Sequence, residues 1–207
     1  MKRIIFALCV LFSMTAIAKS NVDAKYLAGA VPEENGMVVF SKSFKVQQKS
    51  HDEVLSRMRN FVETEIVGKA IEGLRTRIIS DGQSDNTIVA RVEEYMVFKS
   101  KPFYLDRTRF RYQLTAKVDD NKVRMEISQI SYYYGEQPNG TNGETYKAEE
   151  WISDKAALTK KGNKLYPRSG KFRIKTVDRA AEIFDQAISM FEEKKTVVVK
   201  SGVVVTE

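Results

Sequence analysis

The sequence predicts an α+β fold in which an antiparallel sheet of about five strands carries two helices on one face. Three observations lead there. Residues 109–118 read R-F-R-Y-Q-L-T-A-K-V, an unbroken alternation that sets Phe110, Tyr112, Leu114, Ala116 and Val118 on a dry face and Arg109, Arg111, Gln113, Thr115 and Lys117 on a wet one. Asp119, Asp120 and Asn121 supply turn chemistry, and residues 122–134 return as a second long strand, so the pair forms a hairpin at the centre of the sheet. Two other stretches, 50–67 and 176–195, repeat their apolar residues every three or four positions, as helices lying on the dry face do.

The chain opens with Met1-Lys2-Arg3, an apolar run over residues 4–12 and Ala16-Ile17-Ala18, the layout of a secretory signal peptide cut after Ala18. The run is shorter than the roughly 20 residues that span a bilayer. No transmembrane segment is expected, and the mature protein is placed in the periplasm or on the outer surface. Cys9, the single cysteine, sits inside that run behind Leu8, which does not fit a lipid-anchoring site. The mature chain then has no thiol for a disulfide, a nucleophile or a metal site. Removing 18 of the 207 residues leaves 189, enough for one substantial core. Removing Lys2 and Arg3 takes the formal charge from +7 to +5, with both signs interspersed, and export leaves no role for nucleic acid as a partner.

Residues 19–36 contain Gly29, Pro32 and Gly36 without any period and read as a flexible leader into the domain. Residues 37–46 alternate Val38, Phe40, Phe44 and Val46 against Val39, Ser41, Ser43 and Lys45, which makes the first strand. Ser50-His51-Asp52-Glu53 is a capping box, and Val54, Leu55, Met58, Phe61, Val62 and Ile66 carry the helix to Gly68. A short strand at 74–80 and a polar turn at 81–86 precede a long strand at 87–99. Glu94 interrupts the dry face of that strand, which predicts a bulge or the end of the core there. Pro102 breaks the strand, and Phe103, Tyr104 and Leu105 lie in the connection.

In the returning strand Val123, Met125 and Ile127 share one parity and Ile130, Tyr132 and Tyr134 the other, so a one-residue bulge is expected at 128–129. Residues 135–175 read as an irregular insertion, with a short helix over 146–158 and breakers at Gly162, Pro167 and Gly170. Thr176 then caps the last helix, whose stripe includes Val177, Ala180, Phe184 and Ala187. The single domain spans 37–195, and the Val-rich tail at 196–207 is β-prone, suited to an edge strand or to a strand-donating role in assembly.

The element order, the F-S-K-S-F first strand, the capped helix from Ser50 and the closing K-F-R-I-K-T-V-D-R at 171–179 resemble a family of exported Bacteroidetes proteins. That family is described as a domain of unknown function with a TATA-box-binding-protein-like fold, and the resemblance covers residues 37–191. It implies the fold and a periplasmic or outer-surface setting, and it brings no catalytic residues.

On the wet face Arg75, Arg77, Arg91, Tyr95, Arg109, Arg111 and Arg124 converge, with Glu93 and Glu126 among them. Arg91, Tyr95, Arg109, Arg111 and Arg124 are the partner-binding candidates, because guanidinium forks and a tyrosine ring suit an anionic or carbohydrate partner. The same residues would also serve as cross-strand ion pairs on a solvated face. A second set, Tyr104, Tyr132, Tyr134, Trp151 and Phe184, could line an apolar ligand cavity between the last helix and the sheet.

No G-x-S-x-G, H-E-x-x-H, P-loop or G-x-G-x-x-G motif occurs, and Glu149 and Glu150 are neighbours that point apart on a helix. No catalytic residue, metal or cofactor is expected. The leading reading is an exported non-enzymatic binding module that uses the wet face to hold an envelope protein, a glycan or a small ligand; the alternative is a helix-grip carrier of a small apolar ligand.

Overall fold

The computed structural model describes residues 22–136 and 142–192. Its elements are β1 (Glu33–Glu34), β2 (Met37–Val38), β3 (Phe40–Lys45), α1 (His51–Phe61), β4 (Arg77–Asp81), β5 (Thr87–Lys101), β6 (Tyr104–Asp119), β7 (Lys122–Tyr134), β8 (Glu144–Lys147), α2 (Ala148–Trp151), α3 (Asp154–Ala157) and α4 (Pro167–Ser189). The main sheet is antiparallel in the order β3-β7-β6-β5-β4. Both β3 and β8 lie along the remaining edge of β7, β3 against its first half and β8 against Ser131–Tyr134.

The dry face forms as the alternation dictates. Phe110, Leu114, Ala116 and Val118 of β6 and Val123, Met125 and Ile127 of β7 are all within 2% of complete burial. Val54 and Met58 of α1 and Phe172, Ala180, Ile183 and Ala187 of α4 close over them. Each buried Val, Leu, Ile, Phe or Met side chain among them stabilises the fold by about 1.5 to 3 kcal/mol, which is how a domain without disulfides is held. The Ser50 hydroxyl accepts from the Glu53 amide at 3.3 Å, as the capping box requires, and α1 passes into a π-helical stretch, Val62–Val67, before Gly68. The bulge in β7 is present: Gln129 has φ +53, and the register steps so that Ile127 and Ile130 are both buried.

Four expectations are corrected. The stretch read as a flexible leader is packed from Val22 onward. Tyr26 donates its hydroxyl to Asp178 on α4 at 2.9 Å, and Val31 is buried. No bulge occurs at Glu94, where β5 and β6 pair without a break from Thr87 to Val97. The charge is tolerated because Arg179 meets both carboxylate oxygens at 2.9 and 3.0 Å. The register shift comes later, between Val97 and Lys99, where Phe98 packs its ring 4.5 Å from that of Phe172.

Helix α4 starts at Pro167, nine residues before Thr176, with the proline in its first turn, where a missing amide costs little. Gly170 is inside that helix because a Cβ there would lie 2.7 Å from the Cβ of Leu165. Thr176 is buried in mid-helix with its hydroxyl 2.7 Å from that of Tyr132. Finally, the start of the expected helix at 146–158 is strand: Tyr146 pairs with Tyr132 in β8, and only the one-turn helices α2 and α3 follow. The expected signal peptide at 1–18 and the Val-rich tail at 196–207 lie outside the described residues.

Candidate anion-binding face

Helices α1 and α4 pack on the Phe110 side of the sheet, so the opposite face is left to polar side chains. Strand register sets the order there. Arg77 faces Arg91, which faces Gln113; Glu93 faces Arg111; Tyr95 faces Arg109, which faces Tyr133. Arg75, Arg77, Arg91 and Arg111 gather with Glu93, Gln113 and Gln129 around an open groove of about 390 Å3.

Glu93 is 3% exposed and is committed inside the protein. One oxygen accepts from the Arg75 amide at 2.8 Å and the other from Arg111 Nε at 2.7 Å, with an Arg109 nitrogen 3.9 Å away. Burial alone would push the Glu93 carboxyl up, but the Arg75 amide and the Arg111 and Arg109 guanidinium groups together hold it below the usual carboxylate range. The groove therefore carries four cations against one carboxylate whose oxygens are already engaged. Arg77 and Arg91 face each other directly and, among the described residues, neither makes an ion pair. Like charges directly opposite on a sheet destabilise it, and an oxyanion bridging the two forks removes that repulsion.

The other half of the face is different. Arg109 is clasped by Glu136, with Nε 2.9 Å from Oε2 and Nη2 bonded to Oε1, and this bond raises its pKa above the ordinary arginine value. Tyr95 lies beneath the Arg107 guanidinium at 3.7 Å, and Arg124 donates to Glu126 at 2.7 Å. Of the five sequence candidates, then, Arg91 and Arg111 line the groove, whereas Tyr95, Arg109 and Arg124 are engaged elsewhere. Arg75 and Arg77, which the alternation also places on this face, join it.

Sequence reasoning missed Gln113, Gln129 and Arg107. Gln113 and Arg107 share the wet parity of β6 and could have been found from it. Gln129 is on the bulge, whose position was legible but whose side-chain direction was not.

Most of the aromatic set packs as core around Phe172. Phe172 fills the space under α4, with the rings of Phe98, Tyr132, Tyr134 and Trp151 at 4.5, 5.1, 5.1 and 5.7 Å. Tyr132 is fully buried, Tyr134 donates to Asp106 at 2.9 Å, and Phe184 is core at 7% exposure. Tyr104 is 53% exposed at the β5–β6 tip, away from the other four. Among the described residues most of this set packs ring against ring, which gives the helix-grip carrier reading no support.

A family model described as a domain of unknown function (DUF4468) with TBP-like fold matches residues 40–133, the stretch that builds the groove. The crystal structure of a DUF4468 family protein from Bacteroides ovatus is 34% identical, with a TM-score of 0.73 over 86% of this chain and 99% of that one. A TBP-like protein from Parabacteroides distasonis is 19% identical with a TM-score of 0.61, over 78% of this chain and 96% of its own, and is similar in fold alone. A comparison with curated proteins returned no match. With a relative of that identity covered almost end to end, the chain belongs to the DUF4468 family, a domain of unknown function with a TBP-like fold.

Proposed function

We propose that this protein is an exported, non-enzymatic binding module whose open sheet face holds an anionic partner in the groove of Arg75, Arg77, Arg91 and Arg111. The observation that carries the reading is the facing pair Arg77 and Arg91, exposed and without an internal counter-charge among the described residues. The hydrogen-bonded sheet fixes the spacing of the strand positions that carry the guanidinium forks, so ordering their side chains is the main conformational cost of binding. Carboxylate, phosphate or sulfate groups on an envelope protein or glycan match them in geometry and charge. Export rests on the layout of the first 18 residues.

The test is retention on immobilised heparin and on immobilised polyglutamate across a salt gradient. The doubly substituted Arg77→Glu, Arg91→Glu protein should elute at markedly lower salt with its thermal midpoint kept. A control carrying the same charge change at Lys160 and Lys161, on an exposed loop, should elute with the wild type. Equal weakening by groove and control substitutions means that only net charge is being read, and the proposal fails.

A further inference from the structure

We infer that the tip of the β5–β6 hairpin is an insertion element for an anionic lipid surface. Three consecutive apolar residues stand out in solvent there: Phe103 is 108% exposed, Tyr104 53% and Leu105 52%. Strands β5 and β6 pair up to Lys101 and Tyr104, so Pro102 and Phe103 alone make the turn. Proline fixes its own φ near −65°, and Phe103 follows at φ +64, a position that glycine or asparagine normally fills. A phenyl ring is thus carried on a left-handed backbone and left entirely in water. Both choices work against folding, and glycine would relieve both, so what Phe103 contributes is a contact outside the chain.

The shape selects the occupant. A peptide needs a groove or an unpaired strand edge; among the described residues the outer edges of β5 beyond residue 93 and of β6 before Thr108 are unpaired, but they lie below the turn, and the fully exposed Phe103 ring at its apex sits on neither. A bilayer yields around a convex apolar tip, and tyrosine suits its interface. The flanks supply the charge: Lys99 and Lys101 are exposed, and the Lys99 ammonium lies 5.8 Å from the Tyr104 ring. Asp106, the nearby acid, is already neutralised by Lys171 at 2.6 Å and bonded by Tyr134. Cations at the shoulder of an apolar tip favour an anionic headgroup layer. The tip lies about 25 Å along the strands from the arginine groove, so the two surfaces can be occupied together.

The experiment is co-sedimentation of the processed protein, as purified from its host, with vesicles of phosphatidylglycerol and phosphatidylethanolamine, and with vesicles of phosphatidylcholine alone. Binding to the first and not the second is expected. Phe103→Gly should lower the partition coefficient at least about tenfold, the order of burying one ring, while the thermal midpoint stays or rises. Lys99→Ser and Lys101→Ser should each lower it about fivefold. Absence of wild-type binding, equal binding to both vesicle types, or undiminished binding by Phe103→Gly overturns the inference. So does a tip-dependent dimer in sedimentation velocity without lipid, which would make the tip a contact between copies.

Discussion

Arg173 and the pair Arg77 and Arg91 put the same planar cation to opposite uses. Arg173, on α4, is completely buried and donates to the carbonyls of Tyr26 at 2.6 Å, Ile152 at 2.7 Å and Leu27 at 2.5 Å, and to Asp154 at 2.6 Å. One side chain ties the N-terminal segment, the α2–α3 region and the long helix together. Arg77 and Arg91 stand on the exposed sheet face with a like charge as their nearest register partner. The difference lies in the number of acceptors the fold brings within reach. Where the fold supplies enough of them, a guanidinium is a cross-link; where it supplies none, the charge is available to something outside.

The largest consequence is on the buried side. Arg173→Met removes the cation and leaves its carbonyl acceptors without their donors, and a loss of about 3 to 5 kcal/mol in denaturant unfolding is expected. Hydrogen exchange should show residues 22–32 released first. A loss under about 1 kcal/mol would mean that the N-terminal segment is held by something else. Next is the hydroxyl pair under the same helix. Thr176→Val strands the Tyr132 hydroxyl, which is fully buried, at about 1 to 3 kcal/mol. Adding Tyr132→Phe removes the orphan, so the double variant should recover much of that loss, and a double-mutant cycle measures the coupling.

What was legible in the sequence was local. The alternation of β6, the parity break at Gln129 and the Ser50 cap each depend on residues a few positions apart and formed as read, whereas the strand expected over 37–46 is split at the buried Val39 into β2, which pairs with β1, and β3. What was illegible depends on distant neighbours. Gly170 looked like a helix breaker because Leu165, whose Cβ demands a glycine, is not visible from spacing. The N-terminal segment looked loose because its anchor, Arg173, lies 147 positions beyond Tyr26. At the site, alternation put the arginines on one face but could not say that Glu136, outside the strands, would take Arg109 and leave Arg91 free.

Glu93 offers a measurement on the boundary between the two halves of that face. Its folded pKa is lowered, because the Arg75 amide and the neighbouring guanidinium groups outweigh the upward push of burial. A lowered folded pKa gives stability that is fully present above the unfolded value of about 4.3 and is lost as pH falls through the folded value. Thermal midpoints of the wild type and Glu93→Gln should therefore differ most from about pH 5 upward and converge in stronger acid. Parallel curves across that range would mean that Glu93 is not held ionised by its arginine neighbours.

The smallest expected effect discriminates best. Arg77→Glu sets a carboxylate opposite Arg91 in place of a like charge, and a cross-strand pair of opposite sign contributes about 0.2 to 1 kcal/mol. The variant should thus be slightly more stable than the wild type while its retention on polyanions falls. An arginine serving the fold, as Arg173 does, cannot behave this way, since its removal exposes acceptors and lowers stability. If Arg77→Glu instead lowers the urea midpoint, Arg77 has an acceptor within the protein, and the groove's positive charge is not free for a guest.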